Sequence, residues 1–237
     1  MAKKLALVFG GSRGIGAACV QTLAENGFDV AYTYISRAPD AAQAPGARAY
    51  RADVGVPADV AQAFADAQRD FGAPVSCVVA NAGIGAPPAP VAAFDPASFR
   101  RLVEVNVVGA FNVLSEAARR VADGGSIVAL TTSMVRVGPS GFGPYSATKA
   151  AVECLVRSMA KELAPRKVRA NAVAPGPVDT DLFRAGKTEE AKQRSAALSP
   201  FNRVGSPHEI AAVVAFLASD GASWVNGQIV QPNGGWI

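Results

Sequence analysis

Short apolar runs recur along the chain, and most are followed by a segment with helical spacing. Runs at 4–9, 28–34, 47–51, 75–80, 126–131, 168–174 and 227–231 read as strands. They are short and nearly continuously apolar, as strands buried on both faces are. Apolar periodicity near 3.6 predicts helices from the glycine-rich turn at 10–16 to about 26, then over 57–71, 98–121, 144–164 and 207–219. In the fourth predicted strand–helix unit, Phe99, Leu102, Val103, Ala110, Val113 and Leu114 trace the apolar stripe, and Asn106 falls on it. A polar amide on such a stripe needs buried partners. Strands alternating with helices predict an α/β fold, a doubly wound parallel sheet of about seven strands covered on both faces. The segments at 85–97 and 132–143 are rich in Gly and Pro and read as loops. A polar stretch at 181–203 follows the carboxyl end of the sixth strand, where a substrate lid would lie. No repeat and no second domain is evident, so 1–237 reads as one domain.

Composition narrows the classes. The 237 residues are half apolar, ample for a large core. No apolar run reaches the ~18 residues of a membrane span. The opening MAKKLALVFGGS has two lysines and an apolar patch, but Gly-Gly-Ser breaks the patch, so it reads as a strand and not a signal peptide. Cys19, Cys77 and Cys154 are widely spaced in apolar surroundings, the pattern of reduced core thiols in a cytoplasmic protein. A net charge of +4 without a basic run argues against nucleic-acid binding. The one histidine, His208, sits at a predicted helix start, which leaves no basis for a histidine triad or metal site.

The candidate chemistry lies at the carboxyl ends of the strands. Gly10, Ser12, Arg13, Gly14, Ile15 and Gly16 link the first strand to the first helix. Glycines there permit a sharp turn and let backbone approach a pyrophosphate at the helix N-terminus. An acid usually ends the second strand ~20 residues later when the cofactor has a free 2′-hydroxyl. Here Ser36 and Arg37 stand in its place. With Arg13 they suit a 2′-phosphate, which favours NADP(H) over NAD. Asp53 and Val54 follow the third strand, and Asn81, Ala82 and Gly83 follow the fourth, where such sheets bind ligands. Tyr145 and Lys149 are four apart on one helix face. Free tyrosine has a pKa of about 10, and a neighbouring cation lowers it, making a general acid/base for a carbonyl/alcohol pair.

These motifs together resemble the short-chain dehydrogenase/reductase family, in its compact single-domain subgroup, and are similar in pattern to the 3-oxoacyl-carrier-protein reductases. Gly10, Gly14 and Gly16 match its glycine motif, Asn81–Gly83 its Asn-Ala-Gly turn, and Tyr145 with Lys149 its Tyr-x-x-x-Lys. Asn106 matches its relay asparagine, and Pro175, Gly176 and Thr180, with Val178 between, its Pro-Gly…Thr segment at the nicotinamide. The resemblance implies a Rossmann-like fold and hydride transfer between NADP(H) and a small carbonyl or alcohol. Tyr145 would be the acid/base, Lys149 would hold the nicotinamide ribose, and a homotetramer would pair the long fourth and fifth helices.

The chain departs from the family in three ways. Its serine lies thirteen residues before the tyrosine, which here is Thr132, with Ser133 next to it. Neighbours at a strand end face opposite ways, so one of the two should meet the substrate. Spacing favours Thr132. Phe9 and Ala80 replace two usual polar residues on strands that should be neighbours, a large apolar residue against a small one. The crossover at 38–46 is too short for a full helix. Substrate identity is not written in the sequence. Met134, Phe142, Leu182 and Phe183 can line an apolar pocket, and five basic against two acidic residues over 183–203 hint at an anionic substrate. The alternative to an enzyme is an NADP-binding sensor on the same scaffold, for which the intact Tyr145, Lys149 and Asn106 set would be superfluous.

Overall fold

A computed structural model describes residues 4–36 and 44–237. Its centre is the expected parallel sheet. The strands are β1 (Leu5–Phe9), β2 (Asp29–Tyr34), β3 (Arg48–Arg51), β4 (Val75–Ala80), β5 (Ser126–Leu130), β6 (Arg169–Val173) and β7 (Ile229–Val230). They lie in the order β3-β2-β1-β4-β5-β6-β7. The chain winds outward from β1 to β3, then returns to the other side of β1 at β4. The carboxyl ends of β1 and β4 therefore flank the switch point of the sheet, where ligands bind in open α/β folds.

Helices α1 (Gly14–Glu25), α2 (Pro57–Phe71), α3 (Pro96–Val103), α4 (Ala110–Arg120), α5 (Met134–Val137), α6 (Gly143–Glu162), α7 (Asp181–Arg184), α8 (Glu189–Ala196) and α9 (Pro207–Ala218) complete the fold. Side chains alternate across each strand, so one run feeds two cores. Leu5, Leu7 and Phe9 of β1 join the core under α2, α4 and α6. Ala6 and Val8 join the core under α1 and α9. Phe9 and Ala80 are register partners, as the volume argument requires. Phe9 packs on Phe64 with ring centroids 5.7 Å apart.

Four details differ from expectation. The helix predicted over 98–121 is broken into α3 and α4 by a wide π-helical turn at Glu104–Gly109, which carries Asn106. Such single-turn widenings often mark functional sites because they turn a side chain out of the regular phase. Gly109 closes this one against Val54, where a Cβ would come within 2.7 Å of the valine methyl. The apolar stripe begins at Leu102, because Phe99 is 40% exposed. Residues Met134–Val137 of the expected loop coil into α5. Cys154 is exposed on α6, so it is not a core thiol, whereas Cys19 and Cys77 are buried. His208 lies exposed in the first turn of α9, its ring 3.0 Å from Gln21.

Candidate active site

The turn after β1 is locked from two sides. Gly10 takes φ +80°, its N–H donates to the Thr33 hydroxyl at 3.1 Å, and its carbonyl accepts from Asn81 Nδ2 at 2.8 Å. A Cβ on Gly16 would fall 2.0 Å from the Gly10 carbonyl oxygen, so only glycine fits there. Asn81 thus shapes the turn with its side chain. Helix α1 then begins at an extended Arg13 with no side-chain cap and no acid in its first turn. By contrast α7, α8 and α9 are capped by Thr180, Thr188 and Ser206. Neither an N-cap side chain nor a first-turn acid among the described residues neutralises the positive end of α1, which suits a diphosphate. Ser12 and Ile15 are half-buried in this turn.

Arg13 and Ser36 are exposed at the same end, and Arg37 lies outside the described residues. A further cation stands there that the sequence reading passed over. Arg51 ends β3, is the register partner of Tyr34, and donates from Nε to the Ile35 carbonyl at 3.4 Å. It therefore stands beside the strand end that carries Ser36. Only the order of the strands reveals this, since the two lie 15 positions apart in sequence. Asp53 accepts from Gly55 N at 2.8 Å, and the Val54 side chain is buried in the core.

The catalytic candidates gather where α6 passes the ends of β4 and β5. Pro144 sits in the first turn of α6, where its missing N–H costs nothing. Lys149 is 6% exposed, and its ammonium donates to the Leu130 carbonyl at 2.9 Å. Among the described residues no carboxylate pairs with it, and burial lowers its pKa to about 8. Burial pushes the half-buried Tyr145 the other way, up to about 12. The phenol is thus raised where the Tyr/Lys spacing predicts lowering, and desolvation is the cause. A group so raised stays protonated at neutral pH and parts with its proton only to an oxygen on which negative charge is forming. Asn106 is 1% exposed and fully engaged. Its Oδ1 accepts from Ile84 N at 2.8 Å, and its Nδ2 donates to Ile84 O at 2.9 Å and to Thr148 Oγ1 at 3.2 Å. Thr148 in turn donates to the Tyr145 carbonyl at 2.7 Å. A Cβ on Gly83 would stand 3.2 Å from both Asn106 Oδ1 and Lys149 Nζ, so all three line one cradle beside Ala82.

Thr132 and Ser133 part ways. Thr132 Oγ1 accepts only a long bond from Met134 N, 3.3 Å, which leaves its O–H for a ligand. Ser133 donates from Oγ to the Ala174 carbonyl at 2.7 Å. Across the crevice, Thr180 caps α7 by accepting from Phe183 N at 3.1 Å and rests its methyl over Gly14. Pro175 accepts from Ser133 N, Gly176 donates to Pro232, and Val178 is buried. Helices α7 and α8 occupy the 181–203 excursion, and Leu182 reaches Gly85 on the loop after β4. The basic excess of that excursion is largely spent locally. Arg184 pairs with Asp179, Lys192 with Glu189 and Arg203 with Glu209, while Lys187 sits 3.5 Å over the Phe183 ring. Three ion pairs leave little free charge to attract an anionic substrate.

The open helix end, the cradle at the switch point and the two exposed cations define a dinucleotide-binding domain of the doubly wound class. Comparison with known proteins gives the family. A family model described as "Enoyl-(Acyl carrier protein) reductase" matches residues 10–237. The NADPH-dependent aldehyde reductase-like protein of Arabidopsis thaliana is 41% identical over 257 residues, covering 100% of this chain and 95% of that protein. The 3-oxoacyl-[acyl-carrier-protein] reductase MabA of Mycobacterium bovis is 37% identical over 232 residues, covering 97% and 91%. A short chain dehydrogenase from Burkholderia cenocepacia, solved in complex with NADP, superposes with a TM-score of 0.88 at 31% identity, covering 99% and 98%. The chain belongs to the short-chain dehydrogenase/reductase family, and it is an oxidoreductase.

Proposed function

We propose that this enzyme uses NADPH to reduce a small aldehyde or ketone, with Tyr145 giving the proton. The observation that carries the reading is Lys149, a buried ammonium with no carboxylate partner among the described residues, one helical turn from Tyr145 and beside Asn106. Burying an unpaired charge is costly, and a ligand's hydroxyls are what its remaining N–H groups would serve. The chain is NADP-dependent. The α1 N-terminus with Gly10, Ser12, Gly14, Ile15 and Gly16 would hold the diphosphate, and Arg13, Ser36, Arg37 and Arg51 the 2′-phosphate. Lys149, Gly83 and the Pro175–Thr180 segment would hold the nicotinamide half. The bound cofactor supplies the hydride.

The chain's own residues supply the rest. Thr132 donates its hydroxyl to the carbonyl oxygen and orients it. Tyr145 hands its proton to that oxygen as negative charge forms on it. Asn106 holds Thr148 and, through it, the first turn of α6. Residues 181–203 act as the lid, and Leu182 at Gly85 marks where it closes. One dinucleotide-binding domain spans 1–237, working in the cytoplasm. Val108 in the wide turn with Phe111 on α4, and Phe216 on α9 with Trp224 beyond its end, are exposed apolar groups on two different faces. Two such faces suit a homotetramer with two kinds of isologous contact.

The test is NADPH oxidation, followed by its near-ultraviolet absorbance, against aldehydes, ketones and 3-oxoacyl thioesters. Turnover by the wild type that disappears in Tyr145→Phe supports the reading. NADPH binding without turnover of any carbonyl would refute it in favour of a sensor.

A further inference from the structure

Ser133 is 1% exposed, and its N–H and hydroxyl make three hydrogen bonds at the hinge of the site. Its N–H donates to Pro175 O at 2.9 Å and its O–H to Ala174 O at 2.7 Å. Two donors of one residue thus hold two successive carbonyls where β6 passes into the Pro175–Gly176 loop. The same Oγ accepts from Asn233 Nδ2 at 3.4 Å. Asn233, itself 8% exposed, closes a turn in the C-terminal segment by accepting from Gly235 N at 3.0 Å and Trp236 N at 3.2 Å. That turn touches two further parts of the site. Gly176 is pressed against it, since a Cβ there would fall 2.9 Å from Asn233 Cα. Ser199, at the exit of the 181–203 segment, donates from Oγ to Gly234 O at 2.6 Å and accepts from Phe201 N at 3.1 Å.

We infer that Ser133 and Asn233 are positioning residues, and that the turn at 233–236 is a latch fixing Thr132, the Pro175–Gly176 loop and the lid exit in one register. The inference rests on the roles given above to Thr132 and to the lid. Thr132 precedes Ser133 directly, so whatever holds the Ser133 peptide sets the direction of the Thr132 hydroxyl. The loop that would face the nicotinamide is held by the same residue from the other side. Donor and acceptor sides of the reaction are thus aligned by a single buried hydroxyl, and the C-terminal turn ties the lid to it. Loosening the latch leaves the diphosphate and 2′-phosphate groups, which carry most of the cofactor's binding, in place and misaligns the reacting ones. Such a fault lowers kcat with little change in KM.

The first readout needs no turnover. In the ligand-free chain, amide hydrogen exchange is measured for wild type, Ser133→Ala, Ser199→Ala and Asn233→Asp. The aspartate keeps the acceptor for Gly235 and Trp236 but has no amide N–H for Ser133, so the turn itself should survive. Coupling through the latch predicts that Ser133→Ala speeds exchange at 199–203, and that Ser199→Ala speeds it at 131–135. Faster exchange confined to each variant's own segment overturns the latch, whatever the enzyme's substrate proves to be. The second readout is steady-state kinetics with the best carbonyl found. Asn233→Asp should lower kcat about tenfold and leave the KM for NADPH unchanged. Within a Thr132→Val background it should cost nothing further, because both changes act through one hydroxyl. Losses that multiply in the double variant, or an unchanged kcat in Asn233→Asp, overturn the inference. A wild type that binds NADPH but reduces no carbonyl refutes the functional reading instead, and the exchange result still decides the latch.

Discussion

Asn106 offers the sharpest test of how the site is held. Replacing it by alanine removes three hydrogen bonds, of 2.8, 2.9 and 3.2 Å, from a side chain that is 1% exposed. The N–H and carbonyl of Ile84 lose their partners, while the Thr148 hydroxyl keeps the Tyr145 carbonyl. A buried polar group left unpaired costs about 1–3 kcal/mol. Ile84 is half-buried, so water can reach part of it, and the low end applies. Two groups at about 1 kcal/mol each give roughly 2 kcal/mol. In a domain of this size that is a fall in Tm of roughly 4–8 °C. Circular dichroism melts of wild type, Asn106→Ala and Asn106→Asp measure it. The aspartate still accepts from Ile84 N but sets a carboxylate oxygen against the Ile84 carbonyl, so it should melt no higher than the alanine variant. Activity should fall about tenfold in Asn106→Ala, since Thr148 and the first turn of α6 lose their anchor. A Tm within about 2 °C of wild type would refute the argument, because the wide turn would then be held by packing alone.

Two further outcomes follow from the charges. Burial lowers Lys149 from 10.5 to about 8, so the cation present at pH 7 is lost as pH rises through about 8. NADPH affinity, read by fluorescence titration, should weaken from pH 7 to 9.5, and Lys149→Met should abolish that dependence. The sign for stability is the reverse. A folded pKa below the unfolded one disfavours folding most at low pH, so this group's contribution improves from about pH 8 to 10.5, and a flat binding profile contradicts the assignment. Arg51→Ala should raise the KM for NADPH about fivefold, the worth of one exposed charge-assisted contact of about 1 kcal/mol, and leave that for NADH unchanged. An equal rise for both cofactors would remove Arg51 from the 2′-phosphate site.

The centre of the sheet was legible because β1, β4 and β5 are buried on both faces, so each is a nearly unbroken apolar run between polar turns. The ends of β1 and β4 were legible for another reason. Gly16 has no room for a Cβ, and such a constraint restricts the residue type itself. What escaped depends on partners that sequence spacing does not carry. The wide turn at Glu104–Gly109 looks like ordinary helix because a one-residue insertion hardly changes an apolar count. Arg51 reaches the cofactor end only because β3 lies next to β2. Ser133 and Thr132 are chemically alike, and what separates them is the Ala174 carbonyl and the Asn233 amide, 41 and 100 residues away. The Tyr145–Lys149 spacing is plain on a helical wheel, yet the ammonium is drawn to Leu130, so the burial of both groups governs their protonation.

The hydrogen bonds of the site also govern when the site can exist. Gly10 meets Asn81 across 71 residues, Asn106 meets Thr148 across 42, and Ser133 meets Asn233 across 100. Each closes a long loop, and the entropy of closure must be met before the bond returns anything. Helices such as α2 and α6 can form early from local contacts. The pocket forms only when the distant ends of the sheet have met. During refolding, helical ellipticity should therefore recover ahead of the capacity to bind nucleotide. A cofactor that recognises only the finished pocket then captures molecules that have completed folding, without hastening the steps that bring them there.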